Sequence, residues 1–271
     1  MEIRSLSAEE MSQARALWEV CFEDHPAFLD WYFRTRFQPQ DGLGVFLDGR
    51  LLSFLHLSPR KIRLRKRLYP SAYLLALATA PAFRHLGLAR ALLTYALRHL
   101  AANQIFFTFL LPFNIDFYTR LGWGVWADHR LYLLPAAPTV KTDDRCRSPI
   151  APPGAWQFYE TNPDHKLLAG IYEQYFATWD GGLVRKDADW TCLLLDHTLD
   201  GGKIWLGAPA LPAGSVTPSQ PVAYALVQPG SPGGGPLLRE MAWTDPVVRA
   251  AAIVNIKVIH WPSKSAPLAL A

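Results

Sequence analysis

The stretch from Tyr73 to Ala89, YLLALATAPAFRHLGLA, constrains the fold more than any other part of the 271-residue chain. Its apolar first half predicts a buried strand, and the residues from Arg84 onward predict the opening of a helix. Gly87 at this junction allows the backbone to come close to a ligand. The first turn of a helix offers N–H groups without intrahelical partners and the positive end of a dipole. The segment therefore predicts an anion site, usually for phosphate, although close helix–strand packing without a ligand is the alternative.

The helix after Gly87 is amphipathic. Its apolar residues recur every four positions, and its polar residues lie on the other side. The apolar positions are Leu88, Leu92, Ala96 and Leu100, and the polar ones are Arg90, Thr94 and Arg98.

The rest of the first half predicts a mixed α/β arrangement. Ser7-x-x-Glu10 is a capping box before a helix with Met11, Ala14, Trp18, Cys21 and Phe22 on one face. A second, aromatic-rich helix is expected over 28–37. Asp48-Gly49 predicts a hairpin turn. We expect strands over 43–47, 51–57, 60–68, 73–78 and 105–111, with 105–111 buried on both faces, a short helix over 114–121, and a last strand or strand pair over 123–134.

A chain of this length favours two domains. We assign 1–136 to the first domain, the proline-rich stretch 137–154 to a linker, and 155–271 to the second. The second domain is expected to hold a helix over 164–176, strands over 203–208, 222–227 and 237–243, a helix from about 245 and a strand over 256–261. Each half thus repeats a coarse order of helix, strands, helix and strand.

Charge and composition limit the classes of partner. The net charge of +4 is too mild to require nucleic acid, and no apolar run approaches the length of a membrane span. The basic residues between Arg60 and Arg67 are interpreted as a solvated face that could steer an anionic cofactor. The N-terminus lacks the apolar core of a signal peptide. Three widely spaced cysteines fit reduced thiols in the cytoplasm and match no metal site.

A second motif follows the first: Phe113-Asn114-x-x-x-Tyr118-x-x-x-Gly122-Trp123. With both motifs in this order, residues 73–123 resemble the acetyl-CoA-binding core of the GNAT superfamily of N-acetyltransferases. The fuller pattern, with IYEQYF…GGLVRKDADW and VAYALV in the second half, resembles the Eis (enhanced intracellular survival) type. That type carries an active GNAT domain, a degenerate GNAT domain and a sterol-carrier-like domain. The resemblance implies tandem GNAT-type domains, each with a mixed central sheet flanked by helices, with the second copy degenerate.

The resemblance also implies where acetyl-CoA binds. The main chain of Leu77, Ala78 and Thr79 is expected to pair with the pantetheine arm, and an N–H of Leu77 or Ala78 to polarise the acetyl carbonyl. The pyrophosphate is expected in the loop that follows, mainly on main-chain N–H groups. The cofactor-binding set is completed by Arg84, His85, Leu86, Gly87, Leu88, Ala89, Arg90, Phe113 and Asn114.

Tyr118 matches the family's general acid, since a phenol stays protonated at neutral pH and can donate to a thiolate. The alternative for Tyr118 is an aromatic packed in the core beside Phe117. Asn114 is expected to hydrogen-bond the cofactor arm or to cap a helix, and the two roles are compatible.

The acceptor side is less defined. Asp24, His25 and Trp31 are candidates for the acceptor pocket, with a solvated turn or core packing as the alternatives. Eis-type enzymes are thought to use the C-terminal carboxylate of their third domain as base. The chain stops at Ala271 after about two domains, so either it is naturally short, it is a fragment, or water serves as base.

The expected function is transfer of an acetyl group from acetyl-CoA to a small-molecule or peptide amine by direct attack in a ternary complex. None of the three cysteines lies in the cofactor motifs, which argues against a covalent enzyme intermediate. The alternatives are a non-catalytic acyl-CoA-binding or scaffold protein and, more weakly, a tandem-GNAT aminoacyl transferase. The segment Thr244–Arg249 has no glycine, so the second domain is expected to bind no CoA and to shape the acceptor cleft or an oligomer interface. No nucleic-acid or membrane partner is expected.

Overall fold

The computed structural model of the chain describes residues 1–125, 132–133, 156–177, 181–210, 220–230 and 236–245. These residues divide into two compact units. The first holds 1–125 and 181–188, and the second holds the remainder. The predicted linker lies outside the described residues, as do the helix and strand expected after residue 245.

In chain order, the helices and strands of the described residues are β1 (Glu2–Ser5), α1 (Met11–Cys21), α2 (Pro26–Thr35), β2 (Gly42–Leu47), β3 (Arg50–Leu64), β4 (Arg67–Thr79), α3 (Leu88–Ala102), β5 (Phe107–Phe109), α4 (Ile115–Thr119), β6 (Tyr132–Leu133), β7 (Trp156–Thr161), α5 (His165–Phe176), β8 (Gly182–Val184), α6 (Asp187–Leu199), β9 (Lys203–Pro209), β10 (Ala223–Gln228) and β11 (Leu237–Trp243).

The first unit is built on a mixed sheet in the order β1-β2-β3-β4-β5. Neighbouring strands are antiparallel except β4 and β5, which are parallel and joined by the crossover helix α3. The short strand β8 pairs with the far end of β3, where Ile62 lies opposite Leu183. Residues 181–188 therefore complete the first sheet although they follow residues of the second unit in sequence.

The capping box forms at the predicted position. The main-chain N–H of Ser7 donates to Oε2 of Glu10 over 2.8 Å, at a 3₁₀ turn that leads into α1. Glu10 also receives a two-pronged hydrogen bond from Arg4, with a shortest distance of 2.6 Å. This arrangement stabilises the entry to α1, whose Ala14, Leu17 and Trp18 are buried.

Two hairpin turns shape the sheet, and only one was predicted. Asp48 and Gly49 have positive φ of 50° and 77° and join β2 to β3 as expected. The single strand predicted over 60–68 is correct only in part: residues 60–64 end β3 and 67–68 begin β4, because Arg65 and Lys66, with φ of 47° and 64°, form a second turn between the two strands. Arginine and lysine rarely adopt left-handed backbone, so the sequence carries no turn signal there.

The two faces of the sheet bury different side chains. On one face, α3 packs Leu92, Leu93 and Ala96 against Leu55 and Leu57 of β3. The side chains that alternate with these point to the other face, where aromatic rings from α1 and α2 meet them. That aromatic group consists of Trp18, Tyr32, Phe33, Phe37 and Phe54.

The strand expected over 105–111 is shorter than predicted. Only Phe107–Phe109 is a strand, and among the described residues it lies at the edge of the sheet. Phe106 and Leu111 are exposed. An apolar run can belong to an edge strand and its flanking loops, which is why the prediction of burial on both faces was wrong.

The second unit holds an antiparallel sheet in the order β6-β11-β10-β9-β7 with α5 packed on it. Asp164 caps α5 by accepting the N–H of Lys166 over 3.0 Å. The predicted helix over 164–176 and the three predicted strands agree with α5, β9, β10 and β11 within two residues. The strand β7 and the helix α6 were not predicted.

Candidate functional site

The strand β4 separates from β5 halfway along its length. Their parallel pairing joins Ser71 to Phe107 and ends where Tyr73 lies opposite Phe109. From there β4 continues for six residues to Thr79 without further pairing to β5. This separation leaves one edge of the β4 main chain available over the residues that were predicted to meet an extended ligand.

A β-bulge lies within this separated part of β4. Phe54 pairs with Ala78 and His56 pairs with Leu75, so Ala76 and Leu77 together face Leu55 of β3. Ala76 has a φ of 54°, which alanine seldom adopts. Bulges re-aim the main chain, and they occur preferentially near functional sites.

The last residues of β4 alternate in the direction of their main-chain groups. The N–H of Ala80 donates to the carbonyl of Leu52 in β3 over 2.9 Å. Because the direction alternates along the regular part of a strand, Ala78 faces β3, while Thr79 faces the side where β5 has separated. The hydroxyl of Ser53 donates to the carbonyl of Ala78 over 2.7 Å and holds this end of β4 on β3.

The loop between β4 and α3 combines two left-handed residues. His85 and Gly87 have φ of 65° and 78°, and Gly87 is the N-cap of α3. Alternation of left-handed and other backbone conformations turns successive N–H groups toward one concavity that suits an anion. An added Cβ on Gly87 would find no atom within 4 Å, so this side of the loop is open.

Arg84 and Cys21 both donate hydrogen bonds to Thr79, at the start of this loop. Nε of Arg84 donates to the carbonyl of Thr79 over 3.2 Å, and the thiol of Cys21 donates to the same oxygen over 3.6 Å. Nη2 of Arg84 lies 3.7 Å from Sγ of Cys21. No motif connects Cys21 with this loop, because 58 residues separate it from Thr79.

Tyr118 lies in α4, inside an aromatic environment. It is 6% exposed, and its ring centroid is 5.0 Å from that of Phe117, 5.7 Å from that of Phe113 and 6.2 Å from that of Trp123. Burial, with a smaller contribution from the phenol of Tyr73, raises the pKa of Tyr118 to about 12. The side chain is therefore a neutral hydrogen-bond donor at physiological pH.

Asn114 is the N-cap of α4, as one of its two predicted roles requires. Its Oδ1 accepts the N–H groups of Asp116 and Phe117 over 3.0 and 3.3 Å. Gly122, with a φ of 87°, follows the end of the same helix. The exposed ring of Phe113 precedes the cap.

The three residues predicted to line the acceptor pocket each contact other residues of α1 or α2. Oδ2 of Asp24 accepts the indole N–H of Trp18 over 2.6 Å. His25 caps α2, since its Nδ1 accepts the N–H of Ala27 over 3.1 Å. Trp31 is half-buried beside Phe28. Asp24 also lies only three residues beyond Cys21, so the loop between α1 and α2 approaches the end of β4.

The described residues hold neither a metal-binding cluster nor a membrane-spanning helix. No group of three or more histidine, cysteine or acidic side chains in these parts of the chain is arranged to hold a metal ion. Among the helices described above, none is long and apolar enough to cross a membrane.

Comparison with known proteins relates the first unit to one protein family. Residues 2–126 match the sequence profile of the family described as Acetyltransferase (GNAT) domain. The first half of the chain therefore resembles a GNAT acetyltransferase domain, and the predicted GNAT fold is confirmed. No curated protein matches the chain by sequence.

Solved structures resemble nearly the whole chain. Eis1 from Mycobacterium abscessus is 18% identical with a TM-score of 0.67, over 96% of this chain and 63% of that one. A probable N-acyltransferase of unknown function from Enterococcus faecalis is 15% identical with a TM-score of 0.67, over 94% and 62%. A GCN5-related N-acetyltransferase from Anabaena variabilis is 16% identical with a TM-score of 0.66, over 94% and 62%. At such identities the likeness establishes the fold, and the chain spans about 62% of the length of these structures.

Proposed function

We propose that this chain, whose residues 2–126 resemble a GNAT acetyltransferase domain, transfers an acetyl group from acetyl-CoA to a primary amine by direct attack in a ternary complex. The observation that carries the proposal is the separation of β4 from β5 after Tyr73, beside the left-handed loop at His85 and Gly87. An extended thioester arm needs a free strand edge, and its pyrophosphate needs converging N–H groups. The two requirements meet at the end of β4.

Binding of the donor follows from the main-chain directions. Thr79 turns its N–H group toward the side that β5 leaves open, where a pantetheine amide can pair with it, and Leu77 precedes it in the bulge. The carbonyl of Thr79 already accepts from Arg84 and Cys21, so its N–H is the group left for the ligand. The pyrophosphate lies on the N–H groups of residues 85–90 at the start of α3.

Polarisation of the acetyl carbonyl is assigned to Leu77. Leu77 lies in the bulge, where the main chain leaves the regular pairing with β3, whereas Ala78 pairs with Phe54 across the sheet. A fixed main-chain donor stabilises the negative charge that develops on the carbonyl oxygen when the amine attacks. The neutral amine forms the new C–N bond, and the C–S bond to CoA then breaks.

Tyr118 supplies the proton that the departing thiolate needs. Its phenol is buried and its pKa is raised, so the proton is present at physiological pH. The side-chain amide nitrogen of Asn114, Nδ2, can donate to the cofactor arm, because the helix cap uses only the amide oxygen Oδ1. The acceptor ammonium first gives one proton to water to become the neutral amine, and the nitrogen gives up a second proton once the C–N bond has formed. Water carries these protons and reprotonates Tyr118, since Asp24 and His25 serve Trp18 and the cap of α2.

We further propose that the chain is of the Eis type and that its second unit binds no CoA. The enzyme would act in the cytoplasm on a small-molecule or peptide amine. Within the described residues, Cys21 and Cys192 form no disulfide, which fits a reducing compartment.

A thiol-release assay with acetyl-CoA tests the function. The panel of acceptors consists of polyamines, aminoglycosides, lysine peptides and free amino acids, and calorimetry measures acetyl-CoA binding separately. We expect submillimolar binding and CoA release that depends on an amine. Binding of acetyl-CoA without release by any amine would favour the non-catalytic alternative, and absence of binding would overturn the proposal.

A further inference from the structure

A strip of polar side chains lies on one face of β3 and β4, under α2. Directly paired residues share a face, as do residues two apart along a strand. Ser58 pairs with Tyr73 and Arg60 pairs with Ser71, and His56 lies two residues before Ser58. We call these five residues the polar strip. His56, Ser58 and Ser71 are buried, with at most 3% of each residue exposed.

Two buried atoms of the polar strip have no hydrogen-bond partner among the described residues: Nε2 of His56 and Oγ of Ser71. The other ring nitrogen of His56, Nδ1, lies 2.9 Å from the hydroxyl of Tyr32. When that hydroxyl donates, the neutral ring carries its proton on Nε2. Leaving a buried donor unsatisfied is costly, so such atoms in a native structure indicate a partner that is absent from the protein itself.

Two guanidinium groups act electrostatically on His56, and one of them belongs to Arg60, which pairs with Ser71. Burial and the guanidinium groups of Arg60 and Arg36 together lower the pKa of His56 to about 3, so the ring stays neutral. Both arginines also interact elsewhere in the chain, but a guanidinium has five N–H donors and can serve a ligand as well. Two cations beside neutral buried donors favour an anion and disfavour a cation.

The polar strip begins where the donor site ends. His56 pairs with Leu75, directly before the bulge at Ala76 and Leu77. The donor occupies β4 on the other side of this bulge. Tyr73 of the strip is also the last residue of β4 that pairs with β5, so the strip reaches the point where the two strands separate. From Leu75 to Ser71, the strip extends over roughly 13 Å at about 3.3 Å per residue.

The hairpin beyond the strip reinforces its charge. Arg60–Arg67 contains six basic residues and no acidic residue, whereas the whole chain has a net charge of +4. The rest of the chain therefore carries a net charge of −2. A concentrated positive field at the end of the strip attracts anionic ligands toward it.

We propose that the polar strip binds a carboxylate of the acceptor, so that the acceptor class is an amine that also carries a carboxylate, such as an amino acid. This inference rests on the proposed function, because it takes Tyr118 and the bulge as the place of acetyl transfer. It disfavours aminoglycosides and polyamines, whose many cations would meet Arg36 and Arg60.

Matched acceptors test the inference without any variant. ε-Aminocaproate and hexylamine have the same chain length and differ in the carboxylate, and cadaverine replaces the carboxylate with a second amine. We expect kcat/KM to be at least about tenfold higher for ε-aminocaproate than for either other amine, as charge-assisted hydrogen bonds require. Equal values, or a preference for cadaverine or an aminoglycoside, would overturn the inference while leaving acetyl transfer intact. If no amine releases CoA, the proposed function itself fails.

Variants locate the effect in the strip. Arg60→Gln is expected to lower kcat/KM for ε-aminocaproate about tenfold and to leave hexylamine unchanged. Lys61→Gln is the control, because it removes the same charge from the adjacent residue on the opposite face of β3. Arg60→Lys keeps the cation and should restore part of the loss. An equal loss with both amines, or an equal effect of Lys61→Gln, would contradict the proposal.

Discussion

Nε of Arg84 donates to the main-chain carbonyl oxygen of Thr79 over 3.2 Å, and this hydrogen bond closes the loop between β4 and α3 on itself. The guanidinium of Arg84 thus braces the loop, and the contacts with a phosphate are left to main-chain N–H groups. The conformation of the loop, more than its side chains, should therefore decide whether the donor binds.

The first prediction concerns Gly87. Replacement by alanine forces a Cβ into left-handed backbone at a cost of about 1–2 kcal/mol and distorts the N–H concavity. We expect Gly87→Ala to weaken acetyl-CoA binding at least tenfold by calorimetry. Gly49→Ala is the control, since its φ of 77° almost equals the 78° of Gly87 and neither Cβ would meet an atom within 4 Å. Equal weakening by both substitutions would refute a specific role for Gly87.

The second prediction concerns the phenol of Tyr118. Tyr118→Phe removes the proposed proton donor and keeps the ring that packs against Phe117. General acid catalysis contributes about 10²–10⁴-fold, so kcat should fall by that range while acetyl-CoA affinity stays unchanged. Tyr95→Phe, on the surface of α3, should have no effect. Full turnover by Tyr118→Phe would assign the acid elsewhere.

The third prediction concerns pH. Because the pKa of Tyr118 is raised to about 12, the folded protein keeps a proton that the unfolded chain releases near 10. Folded protein then binds more protons than unfolded protein between these values, so stability falls as the pH rises through that window. We expect the free energy of unfolding to decrease more steeply above pH 10 in the wild type than in Tyr118→Phe. Identical slopes would show that the Tyr118 phenol titrates normally.

The activity profile follows from the same pKa. Deprotonation of the acceptor amine should raise kcat/KM with increasing pH, and no fall caused by Tyr118 is expected below about pH 11. A descending limb near pH 9 that disappears in Tyr118→Phe would contradict this expectation.

The fourth prediction separates the two roles of Asp24. Its carboxylate accepts from the indole of Trp18, so Asp24→Ala leaves a buried N–H unsatisfied and should destabilise the protein by about 1–3 kcal/mol. Asp24→Asn keeps an acceptor oxygen and should retain most of the stability and the activity. Asp30→Ala is the control, because Asp30 forms an exposed ion pair with Arg15. Loss of turnover in Asp24→Asn with stability preserved would instead indicate a charge role toward the acceptor.

Local patterns in the sequence predicted the elements that carry the site. The spacing of Leu88, Leu92 and Ala96 predicted α3, and Asn114 and Gly122 predicted the limits of α4, because periodicity and caps act within a few residues. The turn at Arg65 and Lys66 could not be predicted in this way. Pairing along the whole of β3 and β4 holds these two residues in left-handed backbone against their own preference.

Motifs of neighbouring residues are enough to predict the kind of site: a glycine-capped helix after an apolar strand, followed by a tyrosine in a short capped helix. Its surroundings depend on contacts that form only when the chain folds. The end of the β4–β5 pairing at Tyr73, the bulge at Ala76, the thiol of Cys21 on Thr79, and the buried polar strip from His56 to Ser71 join residues far apart in the chain. Such contacts arise from strand register and packing across the sheet, which a motif of neighbouring residues does not encode.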